Sequence, residues 1–217
     1  MKQAFVTGGH GTIGGAICKH LGNRGYEVTA PKSGEMLVQS PDMVSAYMRK
    51  LSEINVLVAC HGMIGEVGPA VGCEYWEHAI MVNLVGTMNV IKNAMPHLSK
   101  GSHIIIIAGG GGMLDPMPMM AAYGCSKAGL VSLTKSLAVE LDGIPVNAIF
   151  PGMQDSRIHD VVVFAAEKGG IQWEKVKSLK ANGHGAVPVE RTLAAIDYIL
   201  AGYETGKIIF SRTMEQK

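Results

Sequence analysis

The chain has 217 residues, 47% of them hydrophobic, and a formal net charge of +1. That suits one compact α/β domain with a substantial core, leaves no basic field for nucleic acid, and contains no apolar run of ~18 residues for a membrane span. Four scattered cysteines (Cys18, Cys60, Cys73, Cys125) form no C-x-x-C pair, and Cys60, His61, Cys73 and His78 match no common metal spacing, so no metal is expected. No basic leader with a cleavage site precedes the first apolar run, so the expected location is the cytoplasm, with a small molecule as ligand.

Phe5-Val6 leads into a glycine cluster, Thr7 to Gly15, and then a helix-like stretch from Ala16 to Arg24 stopped by Gly25. Tyr26 to Ala30 reads as a second strand, and Glu35 to Gln39 as a third short one reached with its crossover helix trimmed to a loop. A helix follows from Pro41-Asp42 to about Leu51, then a buried strand over Ile54–Cys60 and helical spacing from Tyr75 to Leu98. The run Ser102–Ala108 is apolar on both faces, which places it mid-sheet. A glycine- and methionine-rich loop (Gly109 to Met120) enters a helix over Ala121–Leu141. Val146–Phe150 is a further strand ended by Pro151-Gly152, residues 153–187 are mixed, Val189–Leu200 is a helix and Lys207–Ser211 a last strand. This alternation predicts a single Rossmann-type domain over residues 1–217, a doubly wound parallel sheet with 153–187 as a substrate lid.

Tyr123 and Lys127 stand one helical turn apart, so one face of a helix carries both. A phenol ionises near pKa ~10, and an ammonium beside it favours the anion, which makes the two an acid/base pair. The glycine turn lies between a first strand and a helix, where backbone amides and the helix dipole receive a pyrophosphate. Together, Thr7-Gly8-x-x-Gly11-x-x-Gly14, Asn83, Tyr123-x-x-x-Lys127 and Pro151-Gly152 resemble, in order and spacing, the short-chain dehydrogenase/reductase superfamily over almost the whole chain. The resemblance implies that Tyr123 exchanges the substrate hydroxyl proton, and that Lys127 lowers the Tyr123 pKa and binds the nicotinamide ribose. It also implies that Asn83 anchors a water relay and that Pro151 and Gly152 border the nicotinamide. Thr7, Gly8, His10, Gly11, Thr12, Ile13, Gly14 and Gly62 fall on its cofactor-binding positions. Homodimers or homotetramers are implied through the helices carrying Asn83 and Tyr123.

Three positions depart from the family's commonest pattern. Thr12 replaces the middle glycine of T-G-x-x-x-G-x-G, with Gly11 one place earlier, as in the sugar-nucleotide branch. Where the family has Asn-Asn-Ala-Gly this chain has Ala59-Cys60-His61-Gly62, and His61 reads first as a satisfied polar group at a strand end. The substrate-orienting serine, about thirteen residues before the tyrosine, is replaced by Gly110 within Gly109–Gly112, and no hydroxyl side chain lies between Ser102 and Tyr123. Backbone N–H groups of the glycine run are expected to stabilise the oxyanion instead.

After the second strand, Pro31-Lys32-Ser33 offers no carboxylate to the adenosine ribose, so Lys32, Ser33 and nearby His10 favour NADP(H) over NAD(H), with Gln39 at the adenine edge. Met113, Met117, Met119 and Met120 line a substrate pocket or pack on a second subunit. Lys175, Lys177 and Lys180 read as solvated charges, or as contacts for an anionic substrate group. The expected activity is hydride transfer between a nicotinamide and a carbonyl or secondary alcohol. The alternatives are a dinucleotide-binding sensor or assembly protein without turnover, and a sugar-nucleotide epimerase or dehydratase.

Overall fold

The computed structural model describes residues 1–109, 117–154, 160–161, 164 and 187–214. Its strands are β1 (Lys2–Thr7), β2 (Tyr26–Thr29), β3 (Val56–Ala59), β4 (His103–Ile107), β5 (Val146–Phe150) and β6 (Ile208–Phe210). They form one sheet in the order β2-β1-β3-β4-β5-β6, every neighbouring pair parallel. Parallel strands need helical crossovers, and these are α1 (Thr12–Asn23), α2 (Pro41–Met48), a helical run over α3 (Glu77–Ile80) and α4 (Gly86–Ala94), α5 (Ala121–Glu140) and α6 (Val189–Ala201).

Successive strand residues face opposite sides, so the apolar run in β4 serves two cores at once. Ile104 and Ile106 pack with Phe5, Leu57, Val90 and Leu130, beneath α2, α4 and α5. Ile105 and Ile107 pack with Val6, Val58, Ile17 and Ile196, beneath α1 and α6. All five β4 residues are buried, as its mid-sheet position requires. The architecture is therefore the expected three-layer, doubly wound Rossmann type.

The expected strand at Glu35–Gln39 does not form. Residues Met36, Leu37 and Val38 alternate buried, exposed, buried as a strand would. Their backbone instead turns twice, with the amides of Glu35 and Met36 bonded to Lys32 O and that of Ser40 to Leu37 O. Met36 and Val38 plug the core against α2 and α4, and Asn89 Nδ2 holds Val38 O at 3.0 Å. One strand of the expected topology is thus replaced by a packed loop, and the sheet has six strands rather than seven.

The helix expected over Tyr75–Leu98 is likewise interrupted. A π-helical turn, Met81–Val85, separates α3 from α4, and a 3-10 turn at Met95–His97 ends the run. Such π turns concentrate at functional sites, and this one carries Asn83. Helix α1 starts inside the glycine cluster at Thr12, earlier than its apolar spacing suggests. The strand order reverses between β1 and β3, where Thr7 pairs with Ala59, so the crevice at their carboxyl ends is the switch point at which ligands bind open α/β sheets. Among the described residues no helix is long and apolar enough to cross a membrane. Gly110, Met113, Lys175, Lys177, Lys180 and most of the 153–187 segment lie outside the described residues.

Candidate active site

The glycine turn is pressed against the end of β3. Gly8 has φ +67, and a Cβ there would lie 2.8 Å from the backbone of Cys60 and His61. A Cβ on Gly14 would lie 2.2 Å from Gly8 O, so α1 approaches the turn as closely as backbone allows. Gly11 caps α1 without a side-chain bond, and no acid occupies its first turn. The Gly15 amide is taken by Gly11 O at 2.8 Å, and the amides of Thr12, Ile13 and Gly14, in the first turn of α1, form the positive end of the helix dipole, which favours an anion.

On the β2 side of the glycine turn, the His10 ring Nε2 stands 3.1 Å from Ala30 O, just past β2. Lys32 and Ser33 are exposed beside it, and Gln39 is half-buried before α2. The region is not free of carboxylate, as the sequence had suggested. The turn returns Glu35 so that its Oε2 accepts the Lys32 backbone N–H at 2.8 Å.

The side of the crevice that carries Tyr123 and Lys127 is assembled from four elements. In α5, Tyr123 and Lys127 share a face, with the Lys127 ammonium 5.7 Å from the centre of the Tyr123 ring. Lys127 Nζ donates to Ile107 O at the end of β4 at 3.0 Å. Asn83 is fully buried: its Oδ1 accepts from Met63 N at 2.8 Å, while Nδ2 donates to Met63 O and to Ser126 Oγ at 2.8 and 2.9 Å. Ser126 Oγ in turn donates to Tyr123 O at 2.7 Å, so the π turn is bolted directly to α5. Gly62 completes the group, since a Cβ there would lie 3.3 Å from Asn83 Oδ1 and 3.5 Å from Lys127 Nζ.

Pro151 and Gly152 follow β5 at the same edge of the sheet. Gly152 has φ +74 and no room for a side chain, since a Cβ would come within 2.5 Å of Val187. Gln154 Nε2 braces Pro151 O at 2.8 Å. Met117, Met119 and Met120 pack with Ile64, Val67, Val161 and Tyr123 as a small apolar cluster beside the phenol, with Met119 at φ +65.

Burial sets the protonation states. Desolvation pulls the Lys127 ammonium down to about 8 and pushes the Tyr123 phenol up to about 12. The phenol therefore moves opposite to the lowering expected from Lys127, because its burial dominates. Desolvation, then the charge of Lys127, lowers His61 to about 4, and burial raises the Cys60 thiol to about 12. His61 is bonded at both ring nitrogens, to Thr7 Oγ1 at 2.6 Å and Thr87 Oγ1 at 3.4 Å. Among the described residues no cluster of His, Cys, Asp or Glu is arranged for a metal ion.

Sequence reasoning brought Tyr123, Lys127, Asn83 and Gly62 to one place. It missed Ser126, Met63, Thr87 and Glu35. Ser126 had a local signal, adjacency to Lys127 on the same helix; Met63 and Thr87 act through tertiary contacts that no spacing announces.

The short chain dehydrogenase family profile matches residues 33–165. An uncharacterized oxidoreductase of Staphylococcus epidermidis is 31% identical over 194 residues, spanning 77% of this chain and 84% of that protein. Two solved structures share the fold. The ligand-free aldohexose dehydrogenase of Thermoplasma acidophilum has a TM-score of 0.80 at 23% identity, covering 99% of this chain and 95% of that one. A small-chain dehydrogenase in complex with NADPH has a TM-score of 0.81 at 20% identity, covering 96% and 95%.

Proposed function

The chain belongs to the short-chain dehydrogenase family, and from that premise we propose that it is an NADP(H)-dependent reductase of a small carbonyl substrate, running as an alcohol dehydrogenase in reverse. The observation that carries this reading is the convergence of Tyr123, Lys127, Asn83 and Gly62 at the carboxyl ends of the central strands, beside an amide-lined helix start. Thr7, Gly8, Gly11, Thr12, Ile13 and Gly14 would hold the dinucleotide phosphates, and the close packing at Gly8 and Gly14 seats the turn against the end of β3 and the start of α1. His10, Lys32 and Ser33 would meet a ribose 2′-phosphate, Gln39 the adenine, and Gly62, Pro151 and Gly152 the nicotinamide end. NADPH in a structure of the same fold supports that choice. The cofactor, when bound, supplies the hydride.

The chain's own residues supply the proton. Tyr123, pushed up to about 12, is a neutral phenol at pH 7 and gives its proton to the carbonyl oxygen. Lys127, largely charged below about 8, stabilises the resulting phenolate and offers a second hydrogen bond to the ribose. This stocking of protons suits reduction better than oxidation at neutral pH. Asn83 would orient the water that returns a proton to Lys127. Backbone N–H groups of the Gly109–Gly112 run would take the place of a serine hydroxyl in polarising the carbonyl. The aldohexose dehydrogenase of similar fold supports a sugar-like substrate. Residues 153–187 would close over it as a lid. The exposed Met81 and Met88, on the helical run that carries Asn83, support a homodimer or homotetramer.

A second reading, a dinucleotide-binding sensor without turnover, is favoured by the glycine at position 110. The two are separated by following NADPH and NADH oxidation against aldoses, ethyl acetoacetate and cyclohexanone, alongside a binding titration. The reductase reading expects NADPH consumption that Tyr123→Phe lowers ~10²-fold or more, with Gly110→Ser leaving it unchanged or raised. Undiminished activity in Tyr123→Phe sinks the mechanism, and tight NADPH binding with no turnover on any compound selects the sensor.

A further inference from the structure

His61 stands where the family pattern has a small residue, yet it sits at the junction of the two halves of the site. Its two threonine contacts favour one assignment of protons, with the Val82 main chain as a further partner of the ring. Thr7 Oγ1 already accepts from Cys60 N at 3.2 Å, and its single proton goes either to Val58 O at 3.4 Å or to His61 Nδ1 at 2.6 Å. The shorter contact makes Nδ1 an acceptor and places the ring hydrogen on Nε2. On the other side, Thr87 donates its proton to Asn83 O at 2.7 Å, so its oxygen can only accept from His61 Nε2–H. The opposite tautomer would give up the short Thr87 bond to Asn83 and send the Thr7 proton to the more distant Val58 O.

The outcome is a directed chain: Thr7 Oγ–H to His61 Nδ1, His61 Nε2–H to Thr87 Oγ, Thr87 Oγ–H to Asn83 O. It starts on the last residue of β1, where the glycine turn begins, and ends on the main chain of the π turn. The other side of that turn is fixed by the Asn83 side chain on Met63 and Ser126. Of the three hydroxyl and imidazole members, only His61 spans from β1 to α4.

We propose that His61 is a positioning residue: its imidazole, with the hydrogen on Nε2, ties the dinucleotide-binding turn at Thr7 to Thr87 and thereby holds the π turn so that Asn83 faces Lys127. The proposal rests on the reductase reading for its kinetic consequence, but not for its geometry. A charged ring would send the Thr7 proton to the more distant Val58 O, and burial, then the Lys127 ammonium from α5, keep the ring neutral at pH 7 against the opposing pull of the Val82 main chain.

The test compares wild type, His61→Ala, Thr87→Val, the double variant and His61→Gln, with ethyl acetoacetate and NADPH as probes. His61→Ala and Thr87→Val are each expected to lower kcat ~10-fold or more by misplacing Asn83, with KM and NADPH Kd changed by no more than about 2-fold. Members of one chain do not add, so the double variant falls no further than the worse single. His61→Gln, which keeps an amide donor toward Thr87, recovers part of the loss. Multiplying losses, or an unchanged kcat in His61→Ala, overturn the proposal. Nitrogen NMR of the His61 ring decides it without turnover: the Nε2–H form in wild type, with its signals displaced in Thr87→Val and on NADPH addition, supports it. An Nδ1–H ring, or one indifferent to Thr87→Val, overturns it. Wild type inactive on every carbonyl would end the reductase reading while leaving the NMR result to judge His61.

Discussion

Replacing Lys127 by methionine separates what the ammonium does for chemistry from what it costs the fold. Lys127 is 5% exposed, and burial lowers its pKa from 10.5 to about 8. Lowering a pKa by one corresponds to about 1.4 kcal/mol, so the charged side chain destabilises the folded state by about 3 kcal/mol at pH 7. Its bond to Ile107 O, at 3.0 Å, returns ~1.5–3 kcal/mol. The sign follows from proton counts. Between about pH 8 and pH 10.5 the unfolded chain holds a proton on Lys127 that the folded chain has released. Wild-type stability therefore rises with pH through that window, and the penalty is complete only below it. Methionine fills much the same volume and carries no proton, so Lys127→Met lacks this dependence.

The expected result is that Lys127→Met is at least as stable as wild type at pH 7 and almost inactive. Wild type should then gain roughly 2.5 kcal/mol on the variant between pH 7 and pH 10. Urea unfolding of both proteins at both pH values measures this, and other titrating groups cancel in the difference. A stability difference that stays constant from pH 7 to pH 10 would refute the placing of a buried, desolvated ammonium at the centre of the site. A variant much less stable than wild type at pH 7 would show that the bond to Ile107 outweighs desolvation, the reverse of the order given above.

Four further substitutions probe the glycine turn, its helix and the segment after β2. Gly14→Ala, whose Cβ would fall 2.2 Å from Gly8 O, should destabilise the chain by ~1–3 kcal/mol and weaken NADPH binding at least as much. Gly22→Ala on the same helix meets nothing within 4 Å and should stabilise by ~0.5–1 kcal/mol, so thermal melts of the pair separate close approach from helix propensity. Lys32→Ala should weaken NADPH binding ~10-fold while sparing NADH, as expected for one lost charge-assisted contact, and Glu35→Gln should shift preference further toward NADPH. Equal effects of Lys32→Ala on the two dinucleotides, measured by titration, would remove the assignment of the 2′-phosphate to this turn.

What could be read from the chain divides along a physical line. The β4 run, buried on both faces, and the glycine turn between β1 and α1 are local patterns, and periodicity or motif context suffices for them. Tyr123 and Lys127 were legible for the same reason, since one helical turn sets their relation. The segment Met36–Val38 misled because alternation reports which side chains are buried, whereas a strand also needs a neighbour to complete its ladder; here the chain turned before one was reached. The Tyr123 pKa misled differently. An ammonium four residues away is visible in the sequence, but the apolar cluster around the phenol is completed by Ile64 and Val67, which come from a distant segment. Asn83 could be picked out, but the π turn presenting it is held by Met63, Ser126 and Thr87 across separations from 4 to 43 residues. His61 illustrates the consequence most directly: read alone it was a polar group at a strand end, and only the positions of Thr7 and Thr87 give its two nitrogens distinct roles. The chemistry-bearing atoms of this site are local in sequence, while the bonds that hold them in working register are not.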